Sequence, residues 1–311
     1  MVKYLLILLF LTANLPAENH LTLYFVPSPL GIDWSSPSKL AWSALRNKMS
    51  FRPHFMGHVF VEFQWGKHRE VTGMVPTASD YFRQLLIHGR GLGILYHCFP
   101  GRLETKAEVD AELARYFEKG GITFTRFLLN DAQCRRISEY LRVYRGQNHA
   151  RRYGLSNRPR HGEGAGCSAF GVSFADVAGL LDAEIIRAWS HSVAIPMRYA
   201  GRPLRDESVS LLGVLFHARK WAAENEAQTK LTFWDPDRMD QWTTGKIADT
   251  AAHRKVIGIG KVKGIVLDKT GRPAPKGPIF LQHLGNGVGK VPSGITRETP
   301  GTAKGGRETA R

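Results

Sequence analysis

The run Gly162-Glu163-Gly164-Ala165-Gly166-Cys167-Ser168-Ala169-Phe170 delivers a cysteine to the predicted start of a helix straight after three glycines. The first turn of a helix carries unpaired backbone N–H groups and a partial positive charge, which favour thiolate over thiol. Glycines just upstream let substrate and backbone approach closely. The pattern points to nucleophilic sulfur chemistry at Cys167, with an inert buried cysteine behind an ordinary loop as the competing reading.

A sulfur nucleophile needs a base, and imidazole titrates in the right range. Among twelve histidines, His58 stands apart because it opens a predicted strand whose other face, Val59, Val61, Phe63 and Trp65, is apolar. A rigid strand holds an imidazole against a helix terminus better than a loop does. His149 and His161, in the loop before Cys167, are rival bases, while His54, His68, His97 and His191 have no distinguishing context. The plain alternative for His58 is a surface histidine on the polar face of an antiparallel strand.

These two segments, Gly57-His58-Val59 and Cys167-Ser168-Ala169-Phe170, resemble the circularly permuted NlpC/P60 superfamily, the papain-like group that includes the lecithin:retinol acyltransferase-like proteins. In that group the histidine strand precedes the cysteine helix. The resemblance covers residues 21–200 and implies a cysteine hydrolase or acyltransferase, with Cys167 as nucleophile, His58 as base and a thioester intermediate. Such proteins usually place a His, Glu or Gln on the strand after the histidine strand to orient the imidazole. Alignment on Val71 puts Thr72 in that role, whereas spacing alone selects Glu70. Pairing polar face with polar face sets Glu62 opposite Thr72 and Gln64 opposite Glu70, which does not decide between them.

The elements that must position these groups follow from periodicity and punctuation. Leu21 to Val26 is a predicted buried strand, and Ser36-Pro37 starts a helix to Met49. A hairpin turns at Gly66-Lys67, between the histidine strand and Arg69 to Gly73. A helix from Ser79 to His88 and a strand from Gly91 to Phe99 come next. The capping pair Thr105 and Glu108 opens a helix to Lys119, Ile122 to Leu129 is a strand, and Asn130 caps a helix to Arg145. The loop from Gly146 to Gly166 leads into a helix from Cys167 to Leu181, with a later helix from Ser210 to Glu226 and strands between Val256 and Leu267. Separated helices and antiparallel strands predict an α+β fold, an antiparallel sheet with packed helices. The resemblance adds a papain-like form with permuted order.

The 311 residues suffice for a substantial core. Met1-Val2-Lys3 followed by Tyr4 to Leu11 has the form of a secretory signal, with cleavage after Ala17 despite Leu15 at the −3 position; an uncleaved anchor is the alternative. The expected organisation is a signal at 1–17, a core at 18–200, an extension or small subdomain at 201–285 and a basic, disordered tail at 286–311. The protein is then exported, periplasmic or secreted. Cys98 and Cys134 are available for one disulfide in that setting, leaving Cys167 as the odd thiol.

The formal charge of +16 is dispersed and accompanies no nucleic-acid-binding motif, so contact with anionic surfaces is the milder expectation and no specific nucleic acid is expected. Arg151, Arg152, Arg158 and Arg160 either dock a substrate carboxylate or phosphate or form a solvated loop. No phosphate loop, dinucleotide fingerprint or metal-ligand spacing is present, and no cofactor or metal is expected. Substrates in an exported setting are peptide bonds of cell-wall peptides or acyl esters of lipids. An inactive envelope-binding module of the same fold is the alternative.

Overall fold

The computed structural model describes residues 18–77, 84, 88–249 and 255–281. The expected leader at 1–17, nearly all of the expected Ser79 to His88 helix and the tail at 286–311 lie outside these. The described strands are β1 (His20–Val26), β2 (His58–Trp65), β3 (His68–Pro76), β4 (Phe99–Leu103), β5 (Thr123–Leu128), β6 (Arg152–Tyr153), β7 (Ser190–Pro196), β8 (Gln228–Trp234), β9 (Lys255–Ile259) and β10 (Val262–Asp268). Seven α-helices stand among the described residues: α1 (Pro37–Met49), α2 (Lys106–Lys119), α3 (Asp131–Gly146), α4 (Cys167–Val177), α5 (Ala183–Trp189), α6 (Leu211–His217) and α7 (Pro236–Ala248). The fold is α+β.

Eight strands form one sheet in the order β6-β4-β3-β2-β1-β5-β10-β9, and β7 and β8 form a separate antiparallel pair. The large sheet is mixed, because β10 runs parallel to β5. The chain beyond residue 200 therefore completes the same sheet. Alternation along β2 sends Val59, Val61 and Phe63 into a core with Phe170 and Phe174 of α4 and Tyr140 and Tyr144 of α3. Phe60 faces the other way, with Tyr24, Val71 and Phe124 against Val109 and Leu113 of α2. A third cluster joins Leu40 of α1, Leu92, Leu95, Val214 of α6, Val193 and Phe233.

The helix starts follow their caps. Ser36 accepts from the Lys39 N–H ahead of Pro37, and Thr105 with Glu108 and Asn130 with Gln133 close reciprocal boxes at α2 and α3. Two expected elements differ. Over 91–99 the chain is a 3-10 turn, Leu92–Tyr96, because burying Leu92 and Leu95 together requires a three-residue repeat; the strand begins only at Phe99. The helix from Ser210 stops at His217, where tertiary bonds redirect the chain: Ala218 O accepts from Ser38 N–H, and Trp221 Nε1 donates to Trp34 O at 2.7 Å. The 190–234 hairpin and α7 were not legible in the residue pattern.

The hairpin register also differs by one residue. Glu62 pairs with Val71, Val61 with Thr72 and Phe63 with Glu70. The two-residue turn at Gly66-Lys67 fixes Trp65 against His68, and a slip of one moves every side chain to the opposite face. Thr72 and Glu70 consequently share the face of Val61, away from Phe60.

Candidate functional site

Cys167 is the first residue of α4, and Gly166 before it contributes no side-chain cap, so the backbone N–H groups of the first turn stay available. Helix α4 lies so close to β2 that a Cβ at Gly171 would stand 2.6 Å from Val59 Cγ1. Ser168 Oγ donates to Trp234 O at 2.7 Å and ties the helix start to β8. These contacts bring the Cys167 thiol to the Gly57 carbonyl, 4.0 Å away. The Val59 and Ser168 backbones and the Tyr153 side chain also hydrogen-bond the sulfur.

The last β2–β3 pair is Phe60 with Gly73, after which β3 goes on to pair with β4. Val59 N–H is therefore released from strand pairing on its β3 side, and the sulfur takes that open edge. The thiol occupies the opening where two strands of the sheet part.

His58 follows Gly57 and opens β2, and its ring lies on the other face of the strand, with Phe60. It is 2 % exposed, its ring stacks on His54 at 4.2 Å between centroids, and it meets Phe60 edge-on at 4.5 Å. Its Nε2 lies 2.8 Å from Glu104 Oε2, and Glu104 N–H donates to Gly73 O at 2.9 Å, so the carboxyl stands at the end of β4 beside the gap. Gly73 makes the pair feasible: a Cβ there would overlap Glu104 Oε2 and stand 3.1 Å from His58 Nε2.

Burial governs the charges. It pushes Glu104 up to about 7, with His54 and Arg102 opposing and Glu112 and Glu108 adding to the rise. It pushes His58 well below the usual imidazole range, assisted by His54. Across 2.8 Å burial thus favours the neutral form of both groups. The Cys167 thiol is also raised by burial, against hydrogen bonds from Tyr153 and the backbone and with Glu104 adding to the rise. Desolvation outweighs the helix terminus, and the expected thiolate is a thiol at rest.

Neither residue considered for orienting His58 touches it. Thr72 Oγ1 donates to the Glu104 carbonyl at 3.0 Å and braces the carboxylate-bearing segment instead. Glu70 accepts from Arg145 NH2 at 2.6 Å. The orienting contact comes from Glu104, on β4's end rather than on β3, and its only sequence signal was a carboxyl immediately before a capping box. Of the rival bases, His149 Nε2 lies 2.9 Å from Gln147 Oε1 and its ring packs on Tyr144; His161 closes the 3-10 turn Pro159–His161. Cys98 and Cys134 are free thiols, the latter in the core of α3. Arg158 is held by Glu163 and Arg160 by Asp176, bonds that brace the approach to Cys167; Arg151 and Arg152 are exposed.

The sulfur opens onto a cavity of about 210 Å³ whose walls include Cys167, Gly57, Tyr153, Leu45, Leu215 and Phe233. Asp235 joins them, raised to about 6 by burial and by neighbouring Asp237. The wall is overwhelmingly apolar. Among the described residues, no group of three or more His, Cys, Asp or Glu side chains is arranged to hold a metal ion, and no helix is long and apolar enough to cross a membrane. No family model, curated protein or solved structure matches the chain.

Proposed function

We propose that this protein is a cysteine hydrolase or acyltransferase of papain-like, permuted form, in which Cys167 is the nucleophile, His58 the base and Glu104 the group that orients His58. One observation supports the reading: the Cys167 thiol lies 4.0 Å from the carbonyl of Gly57, the residue before His58, whose ring meets Glu104 at 2.8 Å, and Cys167 lines a cavity. The ring lies on the Phe60 face, and the proposed reaction requires its Nδ1 to reach the thiol. The thiol proton passes to that nitrogen as sulfur attacks a substrate carbonyl carbon, and Glu104 carries the compensating charge. The oxyanion accepts from the Cys167 backbone N–H and from the Tyr153 hydroxyl. Collapse of the adduct breaks the acyl–leaving-group bond, the imidazolium returns its proton to the leaving group, and the thioester passes its acyl group to water or another nucleophile. The apolar wall suits acyl esters of lipids better than cell-wall peptides. The expected exported location places such substrates within reach.

A second reading is supported by the neutral resting thiol and by a ring held away from it: an apolar-ligand-binding module without turnover. Hydrolysis of p-nitrophenyl butyrate and p-nitrophenyl palmitate separates the two. The enzyme reading requires turnover that disappears in Cys167→Ala together with a covalent acyl adduct on Cys167 in the wild-type protein. Saturable palmitate binding with no turnover and no adduct would replace it with the binding module.

A further inference from the structure

Helices α1 and α6 each have two apolar faces. Leu40, Ala41, Ala44 and Leu45 of α1, with Val214 and Leu215 of α6, line the cavity beside Cys167. About a third of a turn round each helix, Trp42 and Met49 of α1 and Leu212 and Phe216 of α6 face outward, 48 to 64 % exposed. Phe51, just beyond α1, is 94 % exposed. The rings of Trp42 and Phe216 meet edge-to-face at 5.9 Å between centroids, which makes the two outward faces one continuous patch.

The charge carried by these two segments has one sign. Lys39, Arg46, Arg52, Arg219 and Lys220 lie on these segments, as does Lys48, which lines the cavity, and no Asp or Glu occurs over 34–61 or 208–223. Asp33, 3.8 Å from Lys39, and Glu207 and Glu224 are acidic residues that flank the segments in the sequence. An exposed apolar face ringed by Lys and Arg, on helices too short to span a bilayer, has the composition of an interfacial membrane anchor.

We propose that the outward face of α1 and α6 docks on an anionic phospholipid bilayer, with Trp42, Met49, Phe51, Leu212 and Phe216 at the headgroup–acyl boundary and the basic residues on lipid phosphates. Because the same two helices wall the cavity, an acyl chain leaving the bilayer between them arrives at the thiol. That last step rests on the enzymatic reading above; the docking does not.

The experiment uses the full chain carrying Cys167→Ala, so that no turnover alters the lipid. Sedimentation with vesicles of phosphatidylglycerol and phosphatidylcholine, and with phosphatidylcholine alone, compares this protein with one that also carries Phe51→Ser, Leu212→Ser and Phe216→Ser. Preference for the anionic vesicles and a loss of about tenfold or more in the triple-serine protein are expected. In the parent, brominated phosphatidylglycerol should quench a part of the tryptophan emission that vanishes on Trp42→Phe, a readout that stands even if the triple-serine protein fails to fold. Equal vesicle binding by both proteins would overturn the proposal, since residues 1–17 and 286–311 are common to both. So would a dimer that the serines dissolve while vesicle binding is unchanged, which would make a second copy the occupant. With Cys167 intact, p-nitrophenyl butyrate hydrolysis tests the thiol separately: its absence sinks the enzymatic reading and leaves docking untouched.

Discussion

Glu62 and Glu104 are each 8 % exposed, yet their proton affinities move in opposite directions. Burial alone would raise Glu62, but His20, Arg69 and Tyr24 outweigh it and bring the carboxyl down to about 2. Arg69 Nε donates at 3.0 Å and Tyr24 OH at 2.7 Å. Glu104 has a buried imidazole as its near partner instead of a guanidinium, and burial carries it up to about 7. The lesson is that a fixed cation converts a buried carboxylate into a permanent charge, whereas a partner that can itself lose its proton leaves the pair able to move one. The first suits structure and the second suits proton transfer.

Removal of the sulfur should have the largest effect. Cys167→Ala is expected to lower ester hydrolysis by about a thousandfold or more, measured as kcat/KM on a soluble ester. Glu62→Gln should leave catalysis near wild type and cost about 3 kcal/mol at pH 7. Because the folded Glu62 titrates near 2, its stabilisation is present above the unfolded value near 4.5 and lost as pH falls toward 2. Urea titrations of both proteins at pH 7 and at the lowest pH that keeps them folded check this; a constant difference would contradict it.

Glu104→Gln should show the reverse pH signature. With the folded carboxyl raised to about 7, its contribution is full below 4.5 and is lost as pH rises through 7. Relative to the variant, the wild type should therefore lose up to about 3 kcal/mol between pH 4.5 and 8. The comparison with the variant matters because His58, lowered by burial, acts in the opposite sense: its contribution is present above about 6.5 and lost as pH falls. The same variant should lower kcat by about tenfold to a hundredfold and erase a limb of the pH–rate profile near 7. A merely structural Glu104 would leave the profile's shape intact.

Gly73→Ala pushes a Cβ into Glu104, and should cost about 1–3 kcal/mol with a loss of activity similar to Glu104→Gln. Thr72→Val is the smallest change, costing about 1 kcal/mol through the lost bond to the Glu104 carbonyl, with the pH–rate profile unmoved. A shifted profile in Thr72→Val alone would return the orienting role to Thr72.

Local signals in the chain were legible where they were strong. Ser36-Pro37, Thr105 with Glu108 and Asn130 place three helix starts, and alternation places β2 and β3. The register was not legible, since both pairings of the hairpin bury comparable apolar sets, and the turn closure at Trp65 and His68 decides between them. Glu104 was missed for a related reason. Its partner is 46 residues away, so neither spacing nor periodicity connects them.

The sequence by itself determined that Cys167 opens a helix and that His58 opens a strand, because caps, glycines and alternation act over a few residues. It also determined an α+β chain with a strongly basic balance. Only the tertiary structure decided that β2 and β3 part after Gly73, that Glu104 fills the space a Cβ would take, and that the thiol is buried and neutral. Desolvation and close approach depend on everything packed around a group, and no local pattern encodes them.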